Sequence, residues 1–174
     1  LFSSVDLRLR SDVPIGVSLS GGLDSSSILS RLIDSEINVN TFSAVYGQNL
    51  KGDETKFISL FKNKAKMMNY IKINEDDLLN DLNPFLECHS SEPVVDTSIF
   101  ASYKVFETAK TKIKVALNGQ GADEQLGGYP YFWGHFLKQL LNSGRFLRFI
   151  TELKKAIVNQ GNFSALRFLA YYSA

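Results

Sequence analysis

Two glycine-containing segments hold the residues whose types and spacing could do chemistry. The first, SGGLDSS at residues 20–26, combines two glycines, one acid and three serines. Glycines can adopt positive φ and let backbone N–H groups converge on an anion, and a helix start adds partial positive charge. Asp24 would repel phosphate directly, but it suits a Mg²⁺ ion that bridges carboxylate and phosphate oxygens. The segment therefore predicts a cradle for phosphate or pyrophosphate.

The second segment, NGQGADEQLGGY at residues 118–129, offers a partner for that acid. Asp123 could share a Mg²⁺ ion with Asp24 if the strands before the two segments are neighbours. Two carboxylates and phosphate oxygens make a suitable oxygen shell for this ion. Asp123 and Glu124 could instead cap and charge the first turn of a helix. The glycine setting favours the metal role for Asp123 and leaves both interpretations open for Glu124.

Spacing excludes the commoner glycine motifs. The chain has no Gly-Lys dipeptide, which a Walker A loop requires. Gly119-x-Gly121 is followed by Glu124 and not by the third glycine of a dinucleotide fingerprint. Ser20 stands where a nucleophile elbow around Ser18 would need glycine.

Alternating strand and helix signals place both segments at one edge of a predicted parallel sheet. Apolar runs predict strands at 15–19, 39–46, 70–73 and 113–117, and helical spacing predicts helices at 25–33, 54–68, 76–88 and 98–110. Asp53 would cap the second of these helices, and Pro84 would kink or split the third. The fold class is α/β, a parallel sheet of about four to five strands flanked by helices on both faces. Ligands of such sheets bind beyond the strands' carboxyl ends, where both segments lie.

The strand signals stop after residue 131. Helices are predicted at 132–141, 146–158 and 163–172. We therefore divide the chain into an α/β core at 1–130 and the start of an all-helical part at 131–174.

Composition and charge exclude several other classes of protein. Hydrophobic residues make up 44% of the 174 residues and charged residues 21%, which is typical of a globular domain. A net charge of +1 gives no bulk attraction to nucleic acid or an anionic membrane, so we expect neither partner. The single Cys88 excludes an internal disulfide and a cysteine-based zinc site. Without an apolar run near the ~20 residues of a membrane span, the expected location is the cytoplasm.

Both chemical segments resemble the motifs of one enzyme family. SGGLDSS is similar to the pyrophosphate loop of the PP-loop ATP pyrophosphatases. The G-x-G-A-D-E-x-x-G-G-Y pattern at 119–129 resembles the synthetase domain of the glutamine-dependent asparagine synthetases. Segments at 11–28, 41–46, 52–58 and 92–98 also follow the family's order. The resemblance implies an adenine nucleotide alpha-hydrolase-like fold that activates a carboxylate with ATP as an acyl-adenylate. Ammonia would then give an amide, AMP and pyrophosphate.

The resemblance also assigns expected roles to residues, with ATP and Mg²⁺ as cofactors. Asp24 and Asp123 would bind Mg²⁺, and backbone groups near Ser18 and Ala44 would contact adenine. Asn118 and Gly119 would line the AMP site. The pyrophosphate ligands would be Ser20, Gly21, Gly22, Ser25 and Ser26.

Two positions depart from the family's common pattern. Asn118 and Gln120 stand where many members have serine and glutamate. The family's glutamate lies close to the reaction centre, so Gln120 is our candidate catalytic position, with its charge removed. Aspartate remains the first candidate substrate, and another carboxylate, such as a carboxylated sugar, is the alternative. A PP-loop enzyme that modifies transfer RNA and a non-catalytic nucleotide-binding module are the other hypotheses.

The ends of the chain predict a longer protein. The sequence begins with Leu1 inside an amphipathic stretch and ends in an aromatic helical one. We expect a glutaminase domain with its own nucleophilic cysteine on the N-terminal side, which leaves Cys88 a packing residue. A catalytic lysine of the family is expected after Ala174, so this chain alone should bind nucleotide weakly and not turn over. Aromatic residues on the last helices would favour self-association, which makes a homodimer one expected assembly.

Overall fold

The structure is a computed structural model that describes residues 2–47, 50, 53–89, 92–94, 96 and 98–160. The chain divides into two compact units, the first ending at Gly119 and the second beginning at Gln120. The predicted division into 1–130 and 131–174 concerns domains of a longer protein and stays a prediction.

A four-stranded parallel sheet forms the centre of the first unit. Its strands are β1 (Ile15–Ser18), β2 (Asn40–Val45), β3 (Met67–Lys72) and β4 (Val115–Leu117), in the order β3-β2-β1-β4. Val17 pairs with Thr41 on one side and with Leu117 on the other. The predicted α/β class is confirmed, and β1 and β4 are neighbours, as a shared site would require.

Helices cover the sheet and connect its strands. In the first unit they are α1 (Phe2–Arg8), α2 (Leu23–Asp34), α3 (Thr55–Ile58), α4 (Glu75–Asn80), α5 (Leu82–Cys88) and α6 (Ser98–Ala109). The second unit contains α7 (Ala122–Leu126), α8 (Pro130–Asn142) and α9 (Phe146–Gln160). Among the described residues, none of these helices is long and apolar enough to cross a membrane.

The two faces of the sheet are packed differently, because side chains alternate along each strand. On one face Val17 packs with Leu29 and Leu32 of α2. On the other, Phe42 packs with Val105 and other residues of α6 and its C-terminal end. On this second face β1 contributes only small residues: a Cβ on Gly16 would lie 3.0 Å from the ring of Phe42. Gly16 thus makes room for the ring of Phe42, and Ser18 lines a pocket on the same face, under α6.

The predicted helix at 54–68 is wrong in its second half. α3 ends at Ile58, a 3₁₀ turn follows at Ser59–Phe61, and β3 begins at Met67. The N–H of Lys66 already donates to the carbonyl of Val39 in the neighbouring chain segment, at 3.1 Å. Pairing with β2 therefore overrides a local apolar spacing that favours a helix.

The predicted helix at 76–88 is broken three residues before the proline. α4 and α5 are separated at Asp81, and Pro84 lies in the first turn of α5. A proline there lacks an N–H that would have no helical acceptor, so it causes no kink. Asn74 begins α4 with a capping box, in which its side chain accepts from the N–H of Asp77 at 3.0 Å.

The second unit is built on the pair α8 and α9. Leu137 and Ala156 are buried between them and pack against Trp133, Phe149 and Leu153. Both helices lie where the sequence predicts them. The third predicted helix, at 163–172, lies outside the described residues.

Candidate functional site

The first glycine segment forms a tight turn at the carboxyl edge of the sheet, between β1 and α2. Two serine hydroxyls hold it: Ser20 Oγ and Ser25 Oγ lie 3.0 Å apart, and the N–H of Ser20 donates to Ser25 Oγ at 3.2 Å. The N–H of Gly22 donates to Ser20 Oγ at 3.2 Å. The turn is thus organised by its own hydrogen bonds.

Gly21 can only be glycine for two separate reasons. Its φ is 93°, a conformation that residues with a β-carbon rarely adopt. A β-carbon would also lie 3.0 Å from both Cβ and the carbonyl oxygen of Glu54, and 3.1 Å from Ile58 Cγ1. The turn therefore packs directly against the start of α3.

Helix α2 begins directly after this turn. Its N-cap residue is Gly22, which makes no side-chain capping bond, and the first helical bond runs from the N–H of Ser26 to the carbonyl of Gly22 at 3.1 Å. Amides of a first helical turn have no helical acceptor and attract an anion. Ser25 is buried, and its hydroxyl also lies 3.3 Å from the carbonyl of Gly22. All five predicted pyrophosphate ligands belong to this turn and helix start.

The second glycine segment starts against the first one. A β-carbon on Gly119 would lie 2.9 Å from Asp24 Cβ and 3.1 Å from the backbone nitrogen of Ser25. Only a residue without a side chain lets the chain leave β4 so close to the first turn of α2. Because β1 and β4 are paired, the residues after them meet at one edge of the sheet. Asp24 and Gly119, which are 95 positions apart in sequence, are thus neighbours in space.

A pocket of about 230 Å³ lies beside this turn, on the α6 side of the sheet. Ser18 and Ala44, the predicted adenine contacts, both line it, as does Ser20 of the turn. The remaining lining residues lie in β2, directly after β1 and β2, directly before α3, and in α6: Leu19, Phe42, Tyr46, Glu54, Ser98, Ala101, Ser102 and Val105. The lining therefore combines apolar side chains with several hydroxyls and one carboxyl group.

Asp53 precedes the pocket-lining residue Glu54 and accepts three hydrogen bonds from the backbone. Its Oδ2 accepts from the N–H groups of Tyr46 and Gly47 at 3.0 Å each, and its Oδ1 accepts from the N–H of Thr55 at 2.9 Å. The hydrogen bonds from Thr55, joined by those from Tyr46 and Gly47, lower the pKa of Asp53 to about 2. The structure corrects the prediction for this residue, because the N-cap of α3 is Glu54.

The pKa values of the neighbouring acids Asp53 and Glu54 are shifted in opposite directions. Burial raises the pKa of Glu54 above its ordinary value. Burial also raises the pKa of the Tyr46 phenol, with a smaller contribution from the charge on Asp53. A carboxyl of raised pKa in a pocket is a candidate ligand contact.

Asp123 and Glu124 lie in the second unit, in the first turn of α7. A β-carbon on Gly128 would lie 2.8 Å from Cγ of Asp123, so the carboxyl group of Asp123 fills the space beside this glycine. The Tyr129 hydroxyl donates to Glu124 Oε1 at 2.8 Å, a bond that raises the pKa of Tyr129. Glu124 thus has a structural partner within its own segment. The shared metal site of Asp24 and Asp123 stays a prediction.

The two positions that depart from the family pattern are both exposed. Asn118 follows β4 in the first unit, directly before Gly119. Gln120 is the first residue of the second unit. Their roles in the AMP site and in catalysis stay predictions.

Among the hydroxyl and carboxyl side chains that line the pocket, sequence reasoning missed those of Tyr46, Glu54, Ser98 and Ser102. The sequence did offer a signal for three of these residues. Tyr46, Glu54 and Ser98 lie in the segments 41–46, 52–58 and 92–98, which follow the family's order. Nothing in the local sequence shows that these segments converge, since their meeting depends on the strand order and on α6 crossing the sheet.

The comparisons with known proteins agree with this geometry. A family model described as asparagine synthase matches residues 1–171. The glutamine-hydrolyzing asparagine synthetase 1 of Bacillus subtilis is 32% identical over 91% of this chain and 24% of the relative. A Methanocaldococcus jannaschii protein assigned as a glutamine-hydrolyzing asparagine synthetase is 35% identical over 86% of this chain and 29% of its own length. Amidase chyE of Penicillium rubens is 26% identical over 80% of the chain and 23% of the relative.

The chain thus spans about a quarter of the length of the relatives that it matches. The part that it spans contains both glycine segments and the four-stranded parallel sheet. The chain belongs to the asparagine synthase family.

Proposed function

We propose that this chain is the ATP-binding part of a synthetase domain that adenylates a carboxylate and transfers ammonia to it. The observation that carries the proposal is the contact of Gly119 with Asp24 and Ser25 at the open N-terminus of α2. This contact places the first glycine of the second motif against the first motif, whose Ser20 lines the pocket.

The nucleotide would lie across the pocket and the first turn. Adenine would contact backbone groups near Ser18 and Ala44, and Asn118 and Gly119 would border the AMP moiety. The β- and γ-phosphates would accept hydrogen bonds at 20–26, where the helix start supplies amides and partial positive charge. The small residues of the pocket and the absence of a side chain on Gly119 give the ligand room.

Magnesium fits the donors that these segments provide. The side chain of Asp24 has no hydrogen bond or ion pair among the described residues, so its carboxylate is available to a metal ion. We assign Asp24 and Asp123 as the protein ligands. The ion would neutralise charge on the departing pyrophosphate.

The protein's contribution to the reaction is positioning and charge stabilisation. A carboxylate is a poor electrophile, and adenylation gives it a good leaving group. Holding the acid against the α-phosphate lowers the entropic barrier, and amides at the start of α2 stabilise the leaving pyrophosphate. Ammonia then forms the C–N bond, and AMP leaves.

Aspartate is our first candidate for the carboxylate, with asparagine as product. Gln120 in place of the family's glutamate keeps another acid, such as a carboxylated sugar, as the alternative. Relatives named as amidases occur beside those named as asparagine synthetases, which is consistent with more than one acceptor in the family. The ammonia would come from a glutaminase domain of the full-length protein.

An isotope-exchange experiment tests the proposal. The complete enzyme is incubated with ATP, Mg²⁺, labelled pyrophosphate and one candidate acid at a time. We expect label to enter ATP only when the correct acid is present, and Asp24→Asn to abolish the exchange. Exchange with aspartate alone supports the asparagine-forming reaction, and exchange with another acid alone identifies a different acceptor. No exchange with any acid, although ATP binds, would favour a non-catalytic nucleotide-binding module.

A further inference from the structure

Asp53 connects two walls of the pocket without lining it. Tyr46 follows β2 and Glu54 precedes α3, and both line the pocket. The Asp53 carboxylate accepts from the N–H groups of Tyr46 and Gly47 on one side and of Thr55 on the other. One side chain therefore sets the distance between the end of β2 and the start of α3.

The same contact reaches the phosphate-binding turn. Cβ and the carbonyl oxygen of Glu54 lie 3.0 Å from the position of a β-carbon on Gly21. No side chain would fit between Gly21 and Glu54, so a shift of Glu54 toward the turn would displace either the turn or the pocket wall. Asp53 is thus placed to control the spacing between the pocket and the turn at 20–26.

We propose that Asp53 is a positioning residue for ATP, which acts through Tyr46 and Glu54 and does not touch the nucleotide. The inference rests on the proposed function, because it assumes that ATP spans the pocket and the turn. Asp53 would hold both subsites at the spacing that adenosine and pyrophosphate need.

A carboxylate is the side chain that suits three converging N–H donors. Its two oxygens can accept several hydrogen bonds, whereas asparagine has one acceptor oxygen and would turn an NH₂ group toward N–H donors. The low pKa keeps Asp53 ionised throughout the neutral range. Its effect on ATP binding should therefore be independent of pH between about 6 and 8.

The test compares three variants of the complete enzyme with the wild type. Asp53→Asn removes acceptor capacity, Asp53→Glu keeps the carboxylate on a longer stem, and Asp12→Asn is the matched control at an exposed position. ATP binding is measured by calorimetry, and KM and kcat by product formation. We expect Asp53→Asn to raise Kd and KM for ATP about tenfold, with kcat and the KM for the acid within about twofold. Asp53→Glu should recover part of the affinity, and Asp12→Asn should match the wild type.

The outcomes separate this inference from the proposed function. If Asp53→Asn lowers the melting temperature but its folded protein binds ATP as tightly as the wild type, Asp53 is only structural and the inference fails. Tight binding by Asp53→Glu and weak binding by Asp53→Asn would support it even if the asparagine variant is poorly stable. If the wild type itself binds no ATP, the proposed function fails first.

Discussion

The two glycine segments reach their conformations in different ways. The segment at 20–26 is held by the hydroxyls of its own Ser20 and Ser25, and it is also packed against the start of α3. The described contacts at 121–129 are local: Gly121 and Gly127 have φ of 89° and 71°, and the Tyr129 hydroxyl donates to Glu124. The first segment therefore has a neighbouring helix as an additional support, whereas the second relies on contacts among its own residues. Substitutions should therefore have larger effects in the first segment.

Equivalent substitutions at Gly21 and Gly121 give the largest contrast. Both glycines have φ near 90°, but a β-carbon at Gly121 would meet nothing within 4 Å, whereas one at Gly21 would meet Glu54. We expect Gly21→Ala to lower the free energy of unfolding by about 3 kcal/mol and Gly121→Ala by about 1 kcal/mol. Chemical denaturation of the complete enzyme measures both. Equal losses would show that backbone strain alone matters and that packing against α3 does not support the turn.

Removing a paired hydroxyl from the first segment should have the next largest effect. Ser25 is buried, and its Oγ accepts from the N–H of Ser20 and lies 3.3 Å from the carbonyl of Gly22. Ser25→Ala should cost about 2 kcal/mol, because it leaves these groups without their partner in a buried turn. Thermal unfolding is the measurement. A neutral result would mean that the hydroxyl network does not hold the turn.

In the second segment, Gly128→Ala should alter ligand binding more than stability. Its β-carbon would occupy the space that the Asp123 carboxyl group fills. We expect about tenfold weaker Mg²⁺-dependent ATP binding with a stability loss of about 1 kcal/mol. Calorimetric titration with ATP, with and without Mg²⁺, tests this. The assignment of Asp123 to the metal would be wrong if the variant lost affinity equally in both titrations.

An unpaired hydroxyl within the sheet should behave in the opposite way to Ser25. Thr41 Oγ1 in β2 is buried and has no hydrogen-bond partner among the described residues. Thr41→Val keeps the shape and removes the cost of burying the hydroxyl, so it should raise the free energy of unfolding by about 1 kcal/mol. A destabilised valine variant would indicate that the hydroxyl has a partner in solution.

The smallest effect is the pH dependence contributed by Asp53. Its pKa is lowered from 3.8 to about 2, so its hydrogen bonds stabilise the fold fully above about pH 4. This contribution is lost as the pH falls from about 4 through 2, when the folded state must also take up the proton. Asp53→Asn should show a shallower loss of stability over that range in acid titrations followed by circular dichroism. Parallel curves for the two proteins would contradict the low pKa.

The sequence predicts the sheet and the first segment well, because both depend on local signals. Apolar runs mark β1 and β4, and SGGLDSS marks the turn whatever surrounds it. Failures occur where tertiary contacts decide. β3 begins inside a stretch with helical spacing because β2 offers it a partner. The contacts of Asp53 and the place of Ser98 and Ser102 in the pocket depend on elements far apart in sequence, which no local pattern encodes.

A structure of the complete enzyme with ATP and Mg²⁺ tests the central claim most directly. We predict the adenine ring in the pocket against Ser18 and Ala44, and the β- and γ-phosphates within hydrogen-bonding distance of the backbone at 20–26. The metal should lie on Asp24. Phosphates bound away from the N-terminus of α2, or an adenine ring outside the pocket, would contradict the account.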